Sequence, residues 1–356
     1  MTQPQQGPAP QPQQGPAPQP YQSYPPPWPV VWMPPPVAPA LPVEPTDHTQ
    51  FLRSPRWKPW RSVVLIGAGV LALVALSTIA LLLAWGYDLT TGRTTVDELT
   101  GQLEGGALRM TPAMFLANNV GLGLLIPATM LLTWAVTGQR PRWLSSVVGG
   151  LRWRWMLTVA AALAPIWLVM LALGLASSWR DLTPGPDTLV LAIGVLLTQP
   201  FQAAGEEYLF RGLFARGVGS FFRNSRVALA VAAIIPSLGF MLAHSAGDPW
   251  LNLFYLLFGL AAAWMTWRTG GLEAAIALHV VNNLTSASTL PFSDLTEVMD
   301  RSAGVIALTD VVPMLVPLVL GVVVVEVLTR WRRPVRLGPP PAPGAPAELG
   351  RQGLAT

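Results

Sequence analysis

Residues 188–212 read TLVLAIGVLLTQPFQAAGEEYLFRG, and this stretch decides the fold. No charge interrupts it from Thr188 to Gly205, a run that extends ~27 Å as a helix and nearly crosses a bilayer core. Two carboxylates and a guanidinium then arrive together, as Glu206, Glu207 and Arg211. Ionisable groups in an apolar span cost about 2.5–3.5 kcal/mol each on insertion scales, and by default they mark function. On a helix Glu207 and Arg211 are four residues apart, so they share a face and pair. Glu206 points about 100° away and has Phe210, not an arginine, at its own i+4 position. The helix thus offers one carboxylate with a counter-charge and one without, the second suited to proton transfer.

The rest of the chain agrees with a membrane setting. Of its 356 residues, 51% are hydrophobic and only 11% charged, and the mean hydropathy is +0.44; soluble domains carry about 25% charged residues. The absence of cysteine excludes disulfides, thiolate nucleophiles and Cys-ligated zinc. The net charge of +4 reflects arginines placed where membrane topology wants them, so no nucleic-acid partner is expected. The first residues, proline and glutamine without an apolar core, do not read as a secretory signal.

Apolar segments long enough to span predict an all-α, polytopic membrane protein with about eight transmembrane helices and disordered Pro-rich tails. The segments lie near 62–86, 112–136, 156–177, 188–210, 227–246, 250–267, 272–292 and 304–329. RTGG alone separates the sixth from the seventh, so a tight re-entrant hairpin is the alternative there. Basic clusters precede the first span (Arg53, Arg56, Lys58, Arg61) and follow the second, fourth, sixth and eighth, while the other loops carry Asp and Glu. That alternation predicts a multi-pass cell-membrane protein with both termini cytoplasmic. Residues 1–59 hold 19 of the 37 prolines and repeat the octad QQGPAPQP at 5–12 and 13–20. They read as a solvated cytoplasmic tail, with docking to a proline-binding partner as the lesser reading. Residues 334–356 read the same way.

Of the three histidines, His48 falls in the tail and suggests no role, whereas His244 (GFMLAHSAGD) and His279 (AIALHVVNNLT) sit in apolar spans. His279 and Asn283 are i and i+4 and project together; Asn282 faces elsewhere. Converged, these groups form a site of carboxylate, imidazole and carboxamide able to activate water and stabilise an oxyanion. Glu206, His244 and His279 are equally a ligand set for a divalent metal such as Zn. His244 lies some 18 residues past Arg226, about 27 Å along a helix. Convergence therefore requires a fifth helix that begins below the membrane, or tilt and a kink at Pro236.

E-E-x-x-x-R at Glu206, Glu207 and Arg211, F-x-x-x-H at Phe240 and His244, and H-x-x-x-N at His279 and Asn283 resemble the CPBP family. That family holds the type II CAAX prenyl endopeptidases and bacteriocin-processing or self-immunity proteins. The resemblance covers residues 188–290 and implies an intramembrane endopeptidase, acting as a glutamate protease or a metalloprotease on a hydrophobic or lipidated peptide at the lipid bilayer. It implies Glu206 as the base that activates water, assisted by His244. His279 and Asn283 would stabilise the oxyanion or bind metal, and Glu207, Arg211 and Phe240 would support them. The chain then divides into a tail (1–59), a three-helix membrane region (60–187), a four-helix CPBP-type core (188–292), a last spanning helix (293–333) and a second tail (334–356). Two rival classes are a proton-coupled carrier with Glu206, His244 and His279 as relay, and a non-catalytic immunity or scaffold protein recruited through the tail.

Overall fold

The computed structural model describes residues 38–105, 109–302, 304 and 306–339. Among these there is no β-strand, only isolated bridges at Thr46–Gly338 and Ser146–Gly271. The helices are α1 (Pro59–Thr90), α2 (Val96–Gly105), α3 (Pro112–Gly123), α4 (Leu125–Thr137), α5 (Trp153–Ser178) and α6 (Thr188–Glu207). After a π-helical segment (Tyr208–Phe214) come α7 (Ala215–Gly219), α8 (Ser225–Ala243), α9 (Pro249–Thr269), α10 (Glu273–Ser286), α11 (Leu295–Val298) and α12 (Leu308–Arg332). Seven helices or helix runs are long and apolar enough to cross a membrane. Their apolar side chains face outward in number: Leu71, Leu83, Leu168, Leu189, Leu196 and Val319 are all exposed, as lipid contact requires.

The seventh expected span, which is not among these helices, differs. Residues 272–292 do not form one long helix: α10 has 14 residues, about 21 Å, against a hydrocarbon core of ~30 Å. The crossing is completed by 3-10 turns from Ala287 to Phe292. At one end Leu272 N–H donates to Ser145 O (2.9 Å), and at the other Thr183 N–H donates to Phe292 O (3.2 Å). A helix this short is tolerated because protein, not lipid, surrounds it. It packs against α5, α6 and α9, and Glu273 to His279 are all buried. The RTGG turn works through Gly270, whose φ of +72° ends α9 in the left-handed region. Arg152 then clamps α10 at its start, with Nη2 2.6 Å from Glu273 Oε2 and 2.9 Å from Thr269 O.

One end of the bundle gathers the basic segments and the other the acidic loops, where Arg93 pairs with Asp187 at 2.8 Å. The basic end corrects the reading of residues 38–58 as solvated tail. His48, Phe51 and Leu52 are buried there. Gln50 Nε2 donates to Phe222 O (2.6 Å), Arg53 Nη1 to Ser220 O (2.9 Å), and Thr46 pairs with Gly338. His48 accepts from Arg216 Nε at 3.2 Å, and that guanidinium also lies over the Phe51 ring at 4.9 Å. Proline content hid this strap because its contacts come from residues between the prolines. The remaining tail expectations, for 1–37 and 340–356, lie outside the described residues.

Candidate active site

The site starts from the pattern on α6. Leu191, Val195, Gln199, Gln202 and Glu206 are buried while Leu189, Ile193, Leu196, Leu197 and Phe201 are exposed, so one helical stripe faces protein and the other lipid. Glu206 is the last member of the inner stripe. Close packing against α3 is possible because residue 205 is glycine: a Cβ there would overlap the Leu122 carbonyl. Asn119, on α3, donates to Gln199 Oε1 at 2.7 Å, which makes it a packing residue of this contact.

Immediately after the glutamates the helix widens. All seven residues of the π segment, Tyr208 to Phe214, are buried, and π-bulges concentrate at functional sites. The Glu207–Arg211 pair forms across it, with Arg211 Nη1 donating to Glu207 Oε1 at 2.9 Å and both side chains at most 1% exposed. Arg211 also lies 4.5 Å from the centre of the Phe240 ring, a cation–π contact that helps a buried guanidinium.

His279 changes the picture drawn from spacing. Its Nδ1 is 2.7 Å from Glu207 Oε1, and its Nε2 is 3.3 Å from Glu206 Oε2. Glu206 is therefore not without a partner: the imidazole sits between both carboxylates. The Glu206 contact is within charge-pairing distance but lacks hydrogen-bond alignment, since Oε2 makes no hydrogen bond. Glu207, expected only to pair with Arg211, also fixes His279. With Nδ1–H donated to Glu207, Nε2 is left facing Glu206, and that approach is attractive only when a proton sits on one of the two.

Asn283 Nδ2 donates to Gln202 Oε1 at 3.0 Å, on the turn before Glu206. Asn282 does face elsewhere, accepting from Trp167 Nε1 at 3.2 Å, yet it is tied to Asn283 through a 3.0 Å amide contact. His244 follows α8 as its C-cap, with Nδ1 2.8 Å from Phe240 O. Ser245, at φ 50°, ends the helix there. No hydrogen bond or ion pair among the described residues joins His244 to Glu206 or His279. It adjoins them through Phe240, whose ring is 4.5 Å from the His244 ring and 5.8 Å from that of His279. The depth mismatch along α8 is thus bridged by an aromatic side chain one turn earlier.

Sequence reasoning missed Tyr255, stacked on His244 at 3.9 Å, and Phe258, 4.9 Å from His279. It also missed Arg301, which donates from Nη1 to His244 O at 3.3 Å. The i, i+3 spacing of Tyr255 and Phe258 was the available signal, but aromatics in a span look like ordinary packing. No group of three or more His, Asp or Glu among the described residues is arranged to hold a metal ion. Glu206, His244 and His279 do not form such a group.

Residues 186–285 match the family model described as type II CAAX prenyl endopeptidase Rce1-like. Over 96 residues the chain is 29% identical to an uncharacterized protein, YyaK, of Bacillus subtilis (strain 168). That alignment covers 26% of this chain and 32% of the relative, so the chain spans about a third of the length of the curated protein it matches. No solved structure matches the chain significantly. All three motifs, from Glu206 to Asn283, fall inside the matched segment, so over residues 186–285 this multi-pass membrane protein is similar to the Rce1-like domain, a match that supports the CPBP protease family.

Proposed function

We propose that the protein is an intramembrane endopeptidase in which Glu206 takes a proton from the water that attacks a peptide carbonyl. The observation that carries this reading is the His279 imidazole held between two buried carboxylates. Glu207, neutralised by Arg211, orients His279; His279 Nε2 then shares the proton that Glu206 acquires. Water adds to the carbonyl carbon, the C–O bond forms, and the tetrahedral oxyanion needs donors. We assign that role to Asn283 Nδ2, held by Gln202 one turn before Glu206, with His244 flanking His279 across Phe240. Breakdown of the intermediate breaks the C–N bond, with the proton passing from the Glu206–His279 pair to the leaving amine.

The substrate class we infer is a hydrophobic or lipidated peptide reaching the site from the bilayer. The basic end of the bundle is taken as cytoplasmic, following the arginine excess there. In the test, purified protein in proteoliposomes meets a panel of quenched peptides, prenylated and unmodified. Cleavage by wild type that disappears in Glu206→Gln, with the variant folded, supports the assignment; a panel left uncut by wild type, or cut equally by Glu206→Gln, overturns it. Chelator sensitivity of the same activity separates metal-assisted from glutamate-only chemistry.

A further inference from the structure

We propose that the cleft between α5 and α12 receives an extended, membrane-embedded stretch of the substrate polypeptide and leads it to Glu206. This rests on the endopeptidase reading above and specifies how its substrate is held. The two helices approach closely at Gly321, where a Cβ would stand 3.1 Å from the Trp167 ring. Towards the acidic end Pro313 and Pro317 interrupt the α12 hydrogen bonds, and a cavity of about 330 Å³ opens between the helices. Ligand pockets run from ~300 to 1,000 Å³.

The walls differ in chemistry. Trp167, Phe254 and Met314 make an apolar side, as any membrane cleft would have. The α10 side presents Asn282, Thr285, Ser286 and Thr289 in succession. Thr285 satisfies its hydroxyl on Val281 O at 2.7 Å, as threonines in membrane helices commonly do. The Ser286 and Thr289 hydroxyls have no hydrogen-bond partner among the described residues. A lipid chain has nothing to offer such a wall. A peptide unwound for hydrolysis does: in hydrocarbon each of its freed N–H and C=O groups requires a partner. Hydroxyls spaced along one wall, opposite an apolar one, suit a strand of backbone whose side chains face the other way.

The cleft also leads somewhere. Asn282 lines it and is bonded to Asn283, which is bonded to Gln202 one turn before Glu206. Phe254, which also lines the cleft, meets Tyr255 and Phe258 in tilted ring contacts, and those rings flank His244 and His279. An occupant of the cleft therefore abuts the catalytic groups through one layer of side chains.

The natural chain has no cysteine, so Ser286→Cys gives a unique labelling position in the full-length protein. The probes are two quenched peptides with one cleavage sequence, one of them carrying an apolar extension of roughly ten residues, enough to reach ~30 Å when extended. Both are assayed in phosphatidylcholine–phosphatidylglycerol vesicles before and after attachment of benzophenone maleimide. Labelling is expected to raise KM for the extended peptide by about tenfold or more, the loss of one well-made anchor, with the short peptide unaffected. Irradiation is then expected to cross-link the extension. Cross-links to lipid alone, with both peptides still cut as before, overturn the inference while leaving the protease intact. Unlabelled protein that cuts neither peptide removes the proposed function itself, and the inference with it. Thr289→Val supplies a gentler check: KM for the extended peptide should rise ~2- to 10-fold, the worth of one hydrogen bond, and an unchanged KM counts against the hydroxyl wall.

Discussion

Helices α1 and α10 both cross the bundle, and they do so in opposite ways. Helix α1 has 32 residues, no motif, and outward-facing Val63, Leu71, Val74 and Leu83. Helix α10 has 14, begins with a buried glutamate, and carries His279, Asn282 and Asn283. Lipid solvates the first and protein solvates the second. The comparison teaches that length and hydropathy report contact with lipid, whereas chemistry resides where the protein has replaced lipid with its own polar partners. A helix wrapped by others is free to be short and polar because its hydrogen-bonding groups are answered within the fold.

Substitutions sort along this contrast. The largest effect is expected at Glu206 on the α6 face that meets α10: Glu206→Gln should lower kcat by about 10²–10⁴-fold, the range of a positioned acid–base group, with unfolding temperature unchanged. Peptide turnover and thermal unfolding in detergent check it together. Next comes Glu207→Gln, which strands the buried Arg211 guanidinium; about 3–5 kcal/mol of stability should go with it. The double variant Glu207→Gln/Arg211→Met should recover much of that stability but not the activity, because His279 still lacks its orienting carboxylate. Recovery of both would show that Glu207 acts only as a counter-ion.

Gly205→Ala tests the packing behind the site. The new methyl must push α6 from α3, at a cost of about 1–3 kcal/mol for overpacking, read as a lower unfolding temperature. The strap outside the membrane is expected to respond to pH. Burial, then Arg216 and Arg152, hold the His48 imidazole well below its usual range, so the folded strap requires it neutral. The stability this supplies is present above the unfolded value of about 6.5 and is lost as pH falls below it. Faster proteolysis between Arg53 and Lys58 at pH 5 than at pH 7.5, abolished in His48→Gln, is the expected sign. The smallest effect belongs to α1: Leu71→Ala, on the lipid side, should change stability by no more than ~0.5 kcal/mol. A loss comparable to that of Gly205→Ala would break the comparison with α10.

How much was legible in the residues follows from these same elements. Seven spanning helices were readable because each is long and apolar with few charges, and lipid contact imposes that composition on any sequence. The motif residues were readable because ionisable groups within such spans stand out. Spacing also carried the Glu207–Arg211 pair, since i and i+4 neighbours meet on any helix. It did not carry the π-helical turn that follows, which no composition signal marks, nor the shortness of α10, whose apolar run continues into 3-10 turns. The structured strap was hidden by the prolines around it.

By itself, then, the sequence determined an all-α membrane protein with ionisable groups set into the apolar spans of its second half, because hydropathy and charge are local properties. Only the tertiary structure decided that His279 stands between Glu206 and Glu207, that His244 is reached through Phe240, and that residues 46–53 fold under Arg216. Each of those is a meeting of side chains from helices distant in sequence. Such meetings are selected by packing and burial, which pattern along one chain does not record.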